Sequence, residues 1–336
     1  MHKIIEMKKY ILYILGTISF LLLSCEKLFI ENAEDTPEQI LESLWKSYDL
    51  HYPCFAYKKI NWDSIHTVYN KWVYDDMTSD QLFMLFTIML DNLKDGHVWI
   101  MTDKKFYTSS NSKQCKYYYQ WDIVNSYLLS VQTRSVFTYG KLEGNIGYFN
   151  ISTFESKFSG YGYIDNILNE FSECKGIIID VRNNSGGSVN NANMIASRFC
   201  DKKRAYCNYQ FRNGPNHNDF SGKEYYFFEP SKNAKPDIPI VLITDNSVGS
   251  ASEDFVLMMR ILPQTTVIGD YTRGNPGGRP VIRELQNGWL YYMPTALQYT
   301  MDDEIYIDDG IKPDILVRET ETGKDLMIEK AIEILK

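Results

Sequence analysis

Two apolar runs constrain this chain more than any other feature of it. Lys175-Gly176-Ile177-Ile178-Ile179-Asp180-Val181 and Ile238-Pro239-Ile240-Val241-Leu242-Ile243-Thr244 are short, rich in β-branched residues and bounded by turn residues, so each reads as a buried strand. Each then passes through a glycine-bearing turn into a helical pattern. The first turn is Arg182-Asn183-Asn184-Ser185-Gly186-Gly187-Ser188, ahead of a helix through Asn193 to Phe199; the second is Asp245-Asn246-Ser247-Val248-Gly249-Ser250, ahead of Ala251 to Met259. Gly144 to Ile151 reads as a further strand and Ile164 to Phe171 as a helix. Strands alternating with helices imply an α/β core whose sheet is largely parallel.

The two turns are where chemistry can sit. A serine at a strand-to-helix turn is in general an N-cap. The same place also suits a nucleophile, because the hydroxyl projects from a rigid element and the backbone N–H groups at the helix start can meet a developing oxyanion. Ser250 is in that position. Gly186-Gly187 lets another group approach the backbone closely and can turn N–H groups toward an anionic oxygen. It lacks the GK[ST] ending of a phosphate loop.

Ahead of this core the pattern is helical. Thr36-Pro37-Glu38-Gln39 and Thr78-Ser79-Asp80-Gln81 are helix starts with capping-box glutamines, and a helix between them carries Trp62, Ile65, Tyr69 and Trp72. The last of these helices stops at Lys94-Asp95-Gly96-His97, where Val98-Trp99-Ile100 begins a strand. His97 is therefore held at a junction, which suits a general base and equally suits a cap on the helix carbonyls. From Met101 to Gly140 lies a Tyr-rich stretch with short β-like runs such as Tyr127 to Val131. After the Ser250 helix, Thr265 to Gly269 is a strand, 270–278 a glycine-rich loop, Asn287-Gly288 a hairpin turn between two strands, and the chain closes on an amphipathic helix with Leu326, Met327, Ala331, Ile332 and Leu335.

A net charge of −8 without a basic run argues against nucleic acid as a partner. The N-terminus reads as a targeting segment: Lys3, Lys8 and Lys9 precede the apolar stretch 10–23, which ends in Leu22-Leu23-Ser24-Cys25 and polar Glu26-Lys27. That ending resembles the lipobox of bacterial lipoproteins, which implies lipidation at Cys25 and a tether to a membrane of the bacterial cell envelope, the outer membrane being the expected one. The other five cysteines leave room for one or two disulfides with at least one free thiol. No His/Cys cluster has metal-ligand spacing, and neither metal nor cofactor is expected.

Taken in order, five stretches resemble the serine peptidase family that includes the tail-specific (C-terminal processing) peptidases and the catalytic core of tricorn protease. They are Gly144-Asn145-Ile146-Gly147-Tyr148, Lys175 to Gly187, Ser247-Val248-Gly249-Ser250-Ala251-Ser252-Glu253, Val267 to Gly274, and Gly310-Ile311-Lys312-Pro313-Asp314. The likeness covers roughly residues 38 to 320. It implies a ClpP/crotonase-like core of ββα units behind a helical N-terminal subdomain, and cleavage of peptide bonds through a serine acyl-enzyme. It aligns the nucleophile with Ser250 and the oxyanion donors with the N–H of Ala251 and of Gly186 or Gly187. Where the tail-specific branch has its lysine base, this chain has Asn275, and no Lys lies between Ser250 and Lys312. The tricorn-like branch uses a histidine from the N-terminal segment, which His97 matches. Its orienting carboxylate falls at Asp308, with Asp309 next, although this chain has Asp in place of that branch's Glu and Gly96 in place of its Ser.

The expected layout is then a signal peptide over 1–24, a tether and helical subdomain over 25–100, and the peptidase core over 101–336. About forty residues separate the helical part from the core, too few for the PDZ domain of about 80 to 100 residues that many tail-specific members carry. The Tyr-rich stretch from Tyr117 to Tyr139 is left to line the cleft. The expected partners are a peptide or protein substrate and, through the lipid, a membrane. The alternative in another class is a degenerate lipoprotein of the same fold that binds peptides without cutting them.

Overall fold

The computed structural model describes residues 36–109, 116, 118–274, 277–318 and 321–336. Cys25, the segment before it, Cys115 and Asn275 lie outside the described residues.

The two apolar runs form adjacent strands of a seven-stranded sheet. Its members are β3 (Gln132–Arg134), β4 (Phe137–Leu142), β5 (Ile146–Ile151), β6 (Gly176–Asp180), β9 (Ile240–Thr244), β10 (Thr265–Gly269) and β14 (Ile315–Leu316), in the order β14-β10-β9-β6-β5-β4-β3. From β5 to β14 the pairing is parallel, and β4 and β3 add an antiparallel edge. Every residue of β6 and β9 is buried because both sheet faces are covered. Ile177, Ile179, Ile240 and Leu242 face one layer, which includes the helices Ile164–Glu170, Val189–Ala196 and Ala251–Arg260. Ile178, Val241, Ile243 and Ile268 face the other, where the closing helix Leu326–Leu335 lies. The result is the expected α/β architecture, three layers deep.

A second core joins the two ends of the sequence. The helices Pro37–His51, Phe55–Lys58, Trp62–Tyr69 and Ser79–Asp91 pack their apolar faces against a four-stranded antiparallel sheet, order β11-β12-β1-β2. In it, β1 (Trp99–Met101) and β2 (Phe106–Thr108) come from the lead-in, while β11 (Val281–Glu284) and β12 (Leu290–Met293) form the hairpin turned at Asn287-Gly288. Ile100, Tyr291 and Met293 enter this core with Leu44, Tyr48 and Phe86.

Three features depart from the expectations. The helix begun at Trp62 ends at Tyr69, capped at Asn70, so Trp72 falls beyond it and is half exposed, edge-on to Tyr69. Tyr127 to Val131 is not a strand: a short helix, Trp121–Ser126, ends there, and Tyr127 and Leu128 pack into the layer around the closing helix instead of alternating. A three-stranded sheet, β13-β7-β8, is formed by β7 (Arg204–Phe211), β8 (Glu224–Phe228) and β13 (Ala296–Tyr299), none of which was anticipated. Cys54, Cys174, Cys200 and Cys207 are buried and form no disulfide among the described residues. No helix among the described residues is long and apolar enough to cross a membrane.

Candidate active site

Because β6 and β9 are neighbours in parallel register, with Asp180 opposite Ile243, the turns that leave their carboxyl ends lie side by side. This is where open α/β sheets place their ligands. Several hydrogen bonds stitch the turns together. Asn183 donates its N–H to Ser247 Oγ (2.7 Å), Gly249 donates to the Asn184 carbonyl (3.4 Å), and the Ser247 hydroxyl in turn bonds Asp245. Asn184 is fully buried and gives its amide to the Ile151 carbonyl (3.1 Å), anchoring the first turn to β5. Below them, the buried Arg182 pairs with Asp180 (2.6 Å) and with Asp325 (2.8 Å), the N-cap of the closing helix.

Ser250 sits at the tip of the second turn with φ 55° and ψ −128°, a conformation that non-glycine residues rarely hold. It is half-buried, whereas Val248, Gly249, Ala251 and Ser252 around it are buried. What holds it is Glu253. This carboxylate is fully buried and accepts from the Ser250 N–H (3.0 Å), the Thr272 hydroxyl (2.7 Å) and the Gly274 N–H (2.9 Å). Burial pushes its pKa up to about 7, against the pull of those three donors. Thr272 Oγ1 also accepts from the Ile311 N–H (2.7 Å), so one carboxylate ties the serine to both the 272–278 loop and the Gly310-Ile311 turn. Gly310 has φ 84°, and a Cβ on it would lie 2.0 Å from the Thr272 carbonyl oxygen, so that approach admits only glycine. The Asp314 carboxylate accepts from Val267 N–H (2.8 Å), which makes the end of the Gly-Ile-Lys-Pro-Asp motif an anchor on β10.

Gly186 lies directly against the serine. With φ 110°, a Cβ there would meet the Gly249 carbonyl oxygen at 2.6 Å, Ser250 Cβ at 2.8 Å and Ala251 N at 2.9 Å. Gly186 and Ala251 are thus brought together with Ser250, while Gly187 lies against Phe154 and Glu155. Gly186 itself donates its N–H to Asn184 Oδ1 (3.0 Å). Gly186→Ala is expected to lower the thermal midpoint through about 2–4 kcal/mol of strain and displacement, read by calorimetry.

His97 approaches from the other core. Its Nδ1 lies 3.3 Å from the Gly277 carbonyl oxygen, and its N–H donates to Asp95 Oδ1 (2.8 Å). A carbonyl can only accept, so Nδ1 carries the proton that faces it, and in the neutral ring Nε2 is the acceptor. Asp95 is fully buried and takes the Tyr52 hydroxyl (2.7 Å); burial raises its pKa, while nearby His97 and Lys58 oppose the shift. No hydrogen bond joins Ser250 to His97 among the described residues. They are related through near neighbours in the chain, since Gly274 binds Glu253 beneath Ser250 and Gly277 binds His97.

Asp308 has an ion pair with Lys58 (2.7 Å), and the same ammonium reaches the Lys94 carbonyl (3.1 Å) just ahead of His97. Asp309 donates its N–H to the Ile307 carbonyl (2.7 Å), which also takes the Tyr57 hydroxyl (2.9 Å). In the Tyr-rich stretch, Tyr118 is buried with its hydroxyl on Asp270 (3.1 Å), and the Tyr119 ring lies over Arg182. These rings support the sheet from the closing-helix side. No group of three or more His, Cys, Asp or Glu is placed to hold a metal among the described residues.

Residues 145–317 match peptidase family S41, about half of the chain. The chain belongs to peptidase family S41. Residues 33–91 match the tricorn protease C1 domain, in line with the tricorn-like lead-in. A Parabacteroides merdae protein of known structure, a candidate peptidase, superposes with a TM-score of 0.79 at 32% identity, over 90% of this chain and 97% of that one. The probable CtpA-like serine protease of Staphylococcus epidermidis is 29% identical over 175 residues, 52% of this chain. The chain spans only 34% of that relative's length. The photosystem II D1 C-terminal processing protease shares the fold, with a TM-score of 0.56 at 14% identity over 89% of this chain and 97% of that one. Of the residues that matter around Ser250, sequence reading missed Glu253, Thr272, Lys58 and Gly277. Only Glu253 carried a local signal, the Ser-x-x-Glu spacing of a capping box.

Proposed function

We propose that this S41 chain is a serine peptidase in which Ser250 attacks the scissile carbonyl and His97 is the general base. His97 Nε2 takes the hydroxyl proton as the Ser250 Oγ–carbon bond forms, then returns it to the leaving amine as the C–N bond breaks; water reverses the sequence to free the acid. The N–H groups of Ala251 and Gly187 stabilise the oxyanion, with Gly186 shaping the hole by its closeness to Ser250 and its bond to Asn184. The tautomer of His97 is set by the Gly277 carbonyl. Asp308 is a positioning residue that acts through Lys58 on the segment carrying His97. The observation that carries the reading is the strained Ser250 held by Glu253 with Gly186 packed against it.

The Cys25 lipobox and the basic, apolar stretch before it support a lipid-anchored enzyme of the bacterial envelope that acts on peptides or proteins there. A fluorophosphonate probe is expected to modify Ser250, located by mass spectrometry, and His97→Ala is expected to slow labelling by about 100-fold or more. No adduct on Ser250 would reject catalysis and leave a peptide-binding protein of the same fold.

A further inference from the structure

The four-stranded sheet has one face in the second core and one face open. In an antiparallel sheet the open face is ordinarily polar. Here Trp99, Tyr292 and Ile282 lie directly opposite one another across β1, β12 and β11, and so share one face. Phe106 lies opposite Met101, two residues past Trp99, and so joins the same face. Phe106 is 63% and Ile282 60% exposed, and the only polar positions in this block are Thr108 and Glu284. The rings are ordered: Trp99 stacks on Tyr292 with centroids 5.1 Å apart and planes 9° from parallel, and Phe106 lies 5.8 Å from Trp99 on its other side.

This face is next to His97 along the chain. Trp99 is two residues past His97, so the two lie within about 7 Å along the chain. Tyr292 is two residues ahead of Pro294, against which Gly277, the partner of the His97 ring, is packed. An extended substrate spans the same distance with about two residues. A polypeptide lying across His97 can therefore reach the Trp99–Tyr292 pair with a side chain about two residues along.

We propose that this face is a substrate subsite that takes a large apolar or aromatic side chain of the polypeptide, about two residues from the bond being cut. The inference rests on the peptidase reading for its occupant. Its test is made on the Ser250→Ala protein, where binding is read without turnover. Two fluorescein-labelled peptides are compared by anisotropy, a hexa-alanine carrying one central Phe and the same peptide with Ala in its place. The Phe peptide is expected to bind about tenfold tighter or more. Trp99→Ala is expected to abolish that difference, and Ile282→Glu, at an exposed position that leaves the core intact, to reduce it severalfold. Equal binding of the two peptides, or a Phe preference that survives both substitutions, overturns the proposal. Failure of the fluorophosphonate to label wild-type Ser250 is a separate result: it removes the nucleophile and leaves the binding comparison standing.

Discussion

Ser250→Ala is expected to abolish cleavage of an unstructured protein such as casein, with a loss on the order of 10⁴-fold or more in turnover. The protein is expected to stay folded, because the serine side chain makes no packing contact on which either core depends. Its backbone, with φ 55°, is the strained element, and alanine inherits that strain. Ser250→Gly relieves it, and is expected to be inactive yet more stable than Ser250→Ala by about 1 kcal/mol in denaturant unfolding. Equal stability of the two variants would show that the turn relaxes once the hydroxyl is gone. Retained cleavage by Ser250→Ala would reject the nucleophile outright.

The second large effect is expected at Glu253. Glu253→Ala leaves the Ser250 N–H, the Gly274 N–H and the Thr272 hydroxyl without their acceptor inside a closed site, and is expected to cost about 3–5 kcal/mol of stability. The pH dependence gives a more specific signature. Burial raises the folded-state pKa of Glu253 from 4.5 to about 7, so between those values the folded protein holds a proton that the unfolded chain has released. The contribution is therefore fully present below pH 4.5 and is lost as pH rises toward 7, by roughly 3 kcal/mol in all. Glu253→Gln cannot titrate, and urea unfolding of the pair across that window is expected to show the wild type losing stability relative to the variant as pH rises. A difference that is flat with pH, or of opposite sign, would reject the assignment. Asp254 beside it is also raised, to about 6, and its charge adds to the upward shift of Glu253, so the comparison reads the coupled pair.

The parts of this molecule that were legible in the sequence are those specified by near neighbours. β6 and β9 announce themselves as apolar runs ending in Gly and Ser, and Ser250 and Gly186 follow from the turns those runs require. The hairpin at Asn287-Gly288 and the capping box at Thr78 are likewise local. What was not legible depends on chain segments that meet only in space. The Gly277 carbonyl is a backbone group that nothing in the sequence marks as a partner for His97, and Lys58 is one lysine among many until folding sets it between Asp308 and the Lys94 carbonyl. The strands β7, β8 and β13 escaped for a different reason. Their aromatic residues are distributed on both faces, with Tyr206 and Tyr209 inside and Tyr225 and Phe227 outside, so no period-two pattern shows.

The pairing of β1 with β12 joins a strand two residues past His97 to one that follows Ser250 in the chain. A ribosome making this protein completes His97 early and Ser250 late, and the sheet that holds the segment after His97 cannot close until the hairpin beyond Ser250 has emerged. A chain that ends before Val281 carries both residues and lacks the β11–β12 half of that sheet. On the roles proposed for His97 and Ser250, completion of the fold is thus itself the step that assembles the site.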